Sequence, residues 1–429
     1  MTPNGGGGDC RAWPATSFAP LFIVGAWQLL NIAALLLSHA WLQEDLMFVN
    51  RSRFGQDFLV YFQAAEKIAA GESPYAVSPY VTPPLPAQLL APMTALTQET
   101  AARAFAELTS VALLLGLYLT ARWSWPHATS AQLRWTAGCA IAMGAGFPFL
   151  FLFERGNIDG FVALALFAAI SMTGRHATLA GLLLAVAVSL KLYPALLLLP
   201  LVVFRQWRVL ASYLVAQLVL IAVAPLYWRQ FVDERLRWRM EEFYTVEENG
   251  SIFSLFHFLG QAAEWTLQGL TVDVSVDGVF QGLAALVYIG LLAAAVAADF
   301  RAKTPVANLP FRLALYVPFM AAVPRVAYVY ELVLLLPLLP ILGVLWIKAR
   351  STRMLAGAGL ASAGIALAQT HIVAWRWLLD TPAANAAAAL GLFMVVVGAV
   401  LVKWSPEYAQ SLSGGSAAAG VASTSMAKI

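Results

Sequence analysis

Apolar runs close to the length needed to cross a ~30 Å hydrocarbon core recur from Phe18 to Lys403. Lipid offers no hydrogen bonds to a backbone, so such runs must form helices or the strands of a closed barrel. The Leu- and Ala-rich stretches lack the period-two alternation of barrel strands, which leaves helices. Composition agrees. The 429 residues are 60% hydrophobic and 11% charged, whereas soluble domains carry about 25% charged residues. The expected fold class is therefore an all-α polytopic membrane protein of about 12 transmembrane helices. These are placed near 18–41, 100–121, 134–153, 158–173, 177–190, 193–205, 208–227, 278–299, 311–323, 327–346, 354–372 and 384–403. The pair 177–190 and 193–205 reads as a hairpin about Lys191-Leu-Tyr-Pro194.

Charge orients the bundle. With the N-terminus inside, the short inner segments hold 14 of the 26 basic residues and 3 of the 23 acids, a balance of +11 inside against −8 outside. A polar cytoplasmic tail is expected over 1–17, a transmembrane domain over 18–404 and a flexible cytoplasmic tail over 405–429. Outer loops are expected at 43–99 and 228–277. Phe18–Leu42 is longer than a signal-peptide core and reads as an uncleaved first helix. Within the first outer loop, Asp57 to Gly71 has the pattern of an amphipathic helix ending at a glycine. Leu85–Leu96 is apolar but too short to cross, so both pieces are expected to lie along the membrane surface.

Some chemistries lack their signatures. There is no phosphate-cradling Gly-rich loop, no H-E-x-x-H and no Cys/His cluster, and the two cysteines, Cys10 and Cys139, lie on different elements. No metal and no cofactor is expected. The candidates are acids and bases on the outer side. Asp57 opens a helix; it reads either as an N-cap or as a carboxylate able to take a proton from a sugar hydroxyl. Lys191 lies in apolar sequence, where a cation is costly unless it snorkels or finds a partner; holding a lipid phosphate is one way to find one. Glu154-Arg-Gly-Asn157-Ile-Asp-Gly160 makes a tight outer turn, by ion pairs and caps or by orienting a polar ligand. Glu248, Asn249 and Ser251 suit a sugar surface or any solvated loop. Arg229, Arg235, Arg237, Arg239, Arg325 and Arg376 run against the charge bias. Either neighbouring acids or lipid phosphate must hold them.

In order along the chain, these residues resemble glycosyltransferase family 87 of the GT-C superfamily, the polyprenol-phosphate-mannose-dependent mannosyltransferases. The resemblance rests on Asp57 with Tyr61, Gly71-Glu-Ser-Pro-Tyr75, Tyr80-Val-Thr-Pro-Pro-Leu-Pro86, Gly156-Asn157, Ala180-Gly181, Lys191-Leu-Tyr-Pro194, Arg205-Gln-Trp-Arg208 and Asn249-Gly-Ser251. It implies a GT-C-like bundle and inverting transfer of a hexose, mannose in the family, from a polyprenyl-phosphate donor. The acceptor would be a glycolipid or glycan at the outer face of the cytoplasmic membrane. Nucleic acid is not an expected partner. Asp57 matches the family's catalytic aspartate. Lys191 and Arg325 become expected donor-phosphate contacts, and Tyr61, Glu154, Asn157, Glu248, Asn249 and Ser251 expected sugar or acceptor contacts. One family feature departs. Where members carry a histidine at a late outer junction, this chain reads Val323-Pro-Arg-Val-Ala-Tyr-Val-Tyr-Glu331, and Arg325, Tyr328 or Tyr330 would stand in. A transporter or flippase, and an O-antigen polymerase or ligase, share the helix-rich pattern and are the rival readings.

Overall fold

The computed structural model describes residues 18–37, 54–78, 80–125, 129–144, 146–236, 251–268, 277–301, 309–322, 329–370, 381–406 and 408. Among these, every regular element is helical. In chain order the α-helices are α1 (Ala19–Leu37), α2 (Gln56–Ala69), α3 (Leu85–Leu90), α4 (Gln98–Ser124), α5 (Thr129–Gly144), α6 (Phe147–Arg155), α7 (Asp159–Met172), α8 (Ala177–Leu190), α9 (Leu198–Val203), α10 (Trp207–Val223) and α11 (Pro225–Gln230). They continue as α12 (Ile252–Gln268), α13 (Asp277–Arg301), α14 (Leu309–Ala314), α15 (Val317–Ala322), α16 (Leu339–Lys348), α17 (Thr352–Ala368) and α18 (Thr381–Lys403). Short 3₁₀ segments cover Pro74–Ala76, Ala91–Ala95, Tyr193–Leu197 and Val329–Leu338, and a π-turn covers Phe231–Leu236.

The expected helices form close to their expected places, but fewer are full spans. Four helices in the described residues are long and apolar enough to cross a membrane, or six if each of two bent pairs is one span. The helices over 159–172, 177–190, 193–203, 309–322 and 352–368 have only 10–17 residues. Proline explains part of the shortening. Pro194 and Pro200 interrupt the stretch after Lys191, and Pro225 follows α10, where the axis turns by 102°. Each proline removes a backbone donor and crowds the preceding turn.

Close helix contacts are made by small residues, as expected where lipid supplies no hydrophobic drive between helices. A Cβ on Gly160 of α7 would lie 2.2 Å from the Thr109 carbonyl oxygen of α4. One on Gly181 of α8 would lie 2.5 Å from the Val209 carbonyl of α10. Along α17 and α18, Gly364 faces Gly391 and Gly357 faces Gly398 with equally little room. Gly160→Ala must push α4 and α7 apart, an overpacking cost of about 1–3 kcal/mol. The variant is expected to lose its fold at a clearly lower temperature than the parent; equal thermal inactivation curves would show that the helices can give way freely.

The segment expected as the first outer loop folds, over its described residues, much as its pattern suggests. Helix α2 buries Phe58, Tyr61, Phe62 and Ala65. It ends at Gly71, whose positive φ of 76° allows a tight reversal. The apolar stretch after Pro84 becomes α3 and a 3₁₀ turn. Ser73 Oγ donates to Gln230 Oε1 (2.7 Å), the Tyr227 hydroxyl donates to the Glu72 carbonyl (3.1 Å), and Arg235 donates to the Tyr75 carbonyl. The bend after α10 is what carries residues 227–235 onto this segment. Arg229 pairs with Asp233 at 3.4 Å. Two of the outer arginines are thus held by protein groups; Arg237, Arg239, Arg325 and Arg376 lie outside the described residues.

At the end of the bundle that the charge bias assigns to the inside, Asp299 accepts from Tyr316 (2.6 Å), Lys403 (2.6 Å) and Tyr408 (2.8 Å). All four groups are buried. This cluster ties α13, α18 and residue 408 to the segment after α14.

Candidate active site

The turn between α6 and α7 organises the site. Gly156 ends α6 with φ 63°, and the amide of Asn157 reaches back to the Leu152 carbonyl (3.2 Å). A Cβ on Gly156 would lie 2.8 Å from the Phe58 Cβ, so the turn sits directly against the start of α2. From the other side, the Gly55 amide donates to the Glu154 carbonyl at 2.7 Å.

That contact bears on the capping reading of Asp57. Gly55, not Asp57, is the N-cap of α2, in a left-handed conformation with no side-chain cap. Asp57 lies in the first turn, where the positive end of the helix favours a carboxylate, and its side chain is turned to other partners. Oδ2 accepts from Asn157 Nδ2 at 2.7 Å, and Oδ1 lies 3.7 Å from Arg155 Nη1. Arg155 also donates to Gln56 Oε1 and lies over the Phe151 ring, 5.0 Å from its centroid. Asp57 and Arg155 remain 25% and 24% exposed, so both can be reached. Tyr61 follows one turn later on α2, buried edge-on against Tyr80.

Two residues beyond Asn157, the same turn supplies a second, buried group. Asp159 opens α7; its Oδ2 accepts from Lys191 Nζ and its Oδ1 from the Tyr193 hydroxyl, both at 2.7 Å. Glu331, from the 3₁₀ segment Val329–Leu338, accepts from Lys191 Nζ at 3.0 Å. Lys191 is only 5% exposed. Its ammonium lies between two carboxylates of the protein. The backbone leaves α8 at Lys191 in an extended conformation (φ −149°, ψ 144°). That break lets residues 191 and 193 approach Asp159 together.

The other expected site residues are placed as follows. Glu154 is buried, with its carbonyl on Gly55. Ser251 is buried at the start of α12, where its Oγ accepts from the Ser254 amide at 3.1 Å, a helix-cap contact. Glu248, Asn249, Arg325 and Tyr328 lie outside the described residues, as does the side chain of Tyr330. Sequence reasoning read Arg155 and Asp159 only as parts of the Glu154–Gly160 turn, and gave Tyr193 and Glu331 no separate role. The available signal was Lys191 itself. A lysine in apolar sequence needs a partner, and Asp159 and Glu331 are acids that each open an apolar run.

A model of glycosyltransferase family 87 matches residues 80–324. The matched stretch holds Asn157, Asp159, Lys191 and Tyr193, while Asp57 precedes it and Glu331 follows it. No curated protein matches the chain. Because the match spans more than half of the 429 residues, this membrane protein belongs to glycosyltransferase family 87.

Proposed function

We propose that this glycosyltransferase moves a hexose, mannose by family resemblance, from a polyprenyl-phosphate donor to a glycolipid or glycan acceptor at the outer face of the cytoplasmic membrane. The observation that carries the reading is the Asp57 carboxylate: partly exposed, fixed by Asn157, and set beside the cation of Arg155. In the reaction, an acceptor hydroxyl oxygen attacks the anomeric carbon from the face opposite the phosphate. Asp57 takes the hydroxyl proton as the new C–O bond forms and the bond to the phosphate oxygen breaks, giving inversion and a free polyprenyl phosphate. General-base help of this kind contributes about 10²–10⁴-fold.

The leaving group gains negative charge, so it needs a cation that the donor can reach. Lys191 does not meet that need, since a phosphate there would face Asp159 and Glu331. We assign Lys191 to holding the floor of the site and the phosphate contact to Arg155, with Arg325 as a further candidate. In this reading arginines supply the positive charge and no metal is used. Tyr61, Glu154, Asn157, Glu248, Asn249 and Ser251 remain candidates around the sugars, Asn157 acting through Asp57. The roughly 12-pass topology, with α2 and α3 along the outer surface and both termini inside, belongs to the same reading. Family membership favours transfer over the transporter and flippase readings.

Purified protein incubated with labelled polyprenyl-phosphate hexoses and a membrane lipid extract is expected to yield a labelled glycolipid. If labelled nucleotide sugars support transfer and the polyprenyl-phosphate forms do not, the donor assignment fails.

A further inference from the structure

At the opposite end of the α7–α8 hairpin from Asp159 lies a cavity of about 930 Å³. The turn between α7 and α8 and the turn between α9 and α10 enclose it, bringing together Arg175, His176, Arg205 and Arg208. The three arginines are exposed, and among the described residues no carboxylate makes an ion pair with any of them. The same cavity is lined by Leu179, Leu182 and Trp207, which are 43%, 44% and 60% exposed. It therefore joins a cationic floor to an apolar flank.

Arg205 carries the argument further. Three helix ends close with the same pair of backbone bonds. Glu72 N reaches the Lys67 carbonyl after α2, Asn157 N the Leu152 carbonyl after α6, and Gln206 N the Leu201 carbonyl after α9. In each, the residue before the last donor must adopt a left-handed conformation. Glycine fills the position twice, as Gly71 and Gly156; the third time it is Arg205, at φ 54°. Among the described residues it is the one non-glycine with positive φ. A side chain kept where glycine would be easier points to a use for that side chain.

We propose that this cavity binds the headgroup of an anionic phospholipid, its phosphate held by Arg175, Arg205 and Arg208 and its acyl chains lying along Leu179, Leu182 and Trp207. Basic pockets between membrane helices are suited to such headgroups. A free inorganic anion would use the arginines but gain nothing from the apolar flank. The site is separate from Asp57 and does not depend on the transferase reading, because its test reads lipid binding and not sugar transfer.

The test uses the full chain, purified and delipidated, with bound lipid counted by native mass spectrometry during titration with phosphatidylglycerol or phosphatidylcholine. Each arginine near the surface is expected to contribute about fivefold in affinity. Arg205→Gly should therefore weaken phosphatidylglycerol binding about fivefold, and the triple variant Arg175→Gln, Arg205→Gly, Arg208→Gln on the order of a hundredfold. Phosphatidylcholine binding should stay weak throughout. Arg205→Gly relaxes the backbone, so it should melt no lower than the parent, and lost binding is then not lost folding. Unchanged phosphatidylglycerol affinity in both variants overturns the proposal. So does equal binding of the two lipids by the parent. Displacement of phosphatidylglycerol by inorganic phosphate at matched concentration overturns it too, in favour of a free-anion site.

Discussion

An Asp57→Asn protein is expected to fold, to bind the donor, and to transfer sugar at least about a hundredfold more slowly. The substitution is clean because Asp57 caps nothing; Gly55 begins the helix. An asparagine carbonyl can still accept from Asn157 Nδ2, so the 2.7 Å contact that orients the side chain survives. What disappears is the ability to take a proton, together with the charge facing Arg155 at 3.7 Å, a partly exposed pair worth little, and a favourable charge in the first turn of α2 worth about 0.3–1 kcal/mol. That loss is too small to unfold the protein. Measuring donor affinity and transfer rate on the same preparation separates chemistry from binding. Near-normal transfer by a well-folded Asp57→Asn protein would falsify the assignment of Asp57 as the base.

Lys191→Met is expected to act differently, lowering stability by about 3–5 kcal/mol, because it removes the ammonium that the buried Asp159 and Glu331 share. Donor and acceptor binding should fall together as the site loosens, and thermal inactivation should come much earlier. Replacing the acids as well, Lys191→Met with Asp159→Asn and Glu331→Gln, removes the acidic charges and should recover much of the stability. A stable Lys191→Met protein that loses donor affinity alone would return Lys191 to the phosphate. The contrast with Asp57→Asn is diagnostic, since one variant loses rate with its fold intact and the other loses its fold first.

Much of this was legible in the sequence where the information is local. Apolar runs located the helices, Gly71 closed α2 where a glycine was expected to, and the Glu154–Gly160 turn stood out as polar residues squeezed between apolar ones. The ion-pair cluster was not legible. Lys191, Asp159 and Glu331 come from three elements, and no spacing rule connects a lysine to an acid 140 residues away. Arg155 was seen as part of a turn and not as a neighbour of Asp57, because Gly156 had first to place that turn against Phe58. Hydropathy registers apolar length but not the proline breaks that divide it, so the points where the helices around Pro194, Pro200 and Pro225 stop were not legible.

The latch between the first outer segment and residues 227–235 sets a timetable for biogenesis. Ser73 must wait for Gln230, 157 residues later in the chain. At synthesis rates of about 5–20 residues per second, that is roughly 8–30 s during which the segment carrying Asp57 has emerged without its clasp. Asn157 arrives before the clasp, Lys191 finds Asp159 next, and Glu331 comes last. A nascent chain stalled before Glu331 would hold the Lys191–Asp159 pair alone, and the second carboxylate would join it only after a further 140 residues beyond Lys191 had been made.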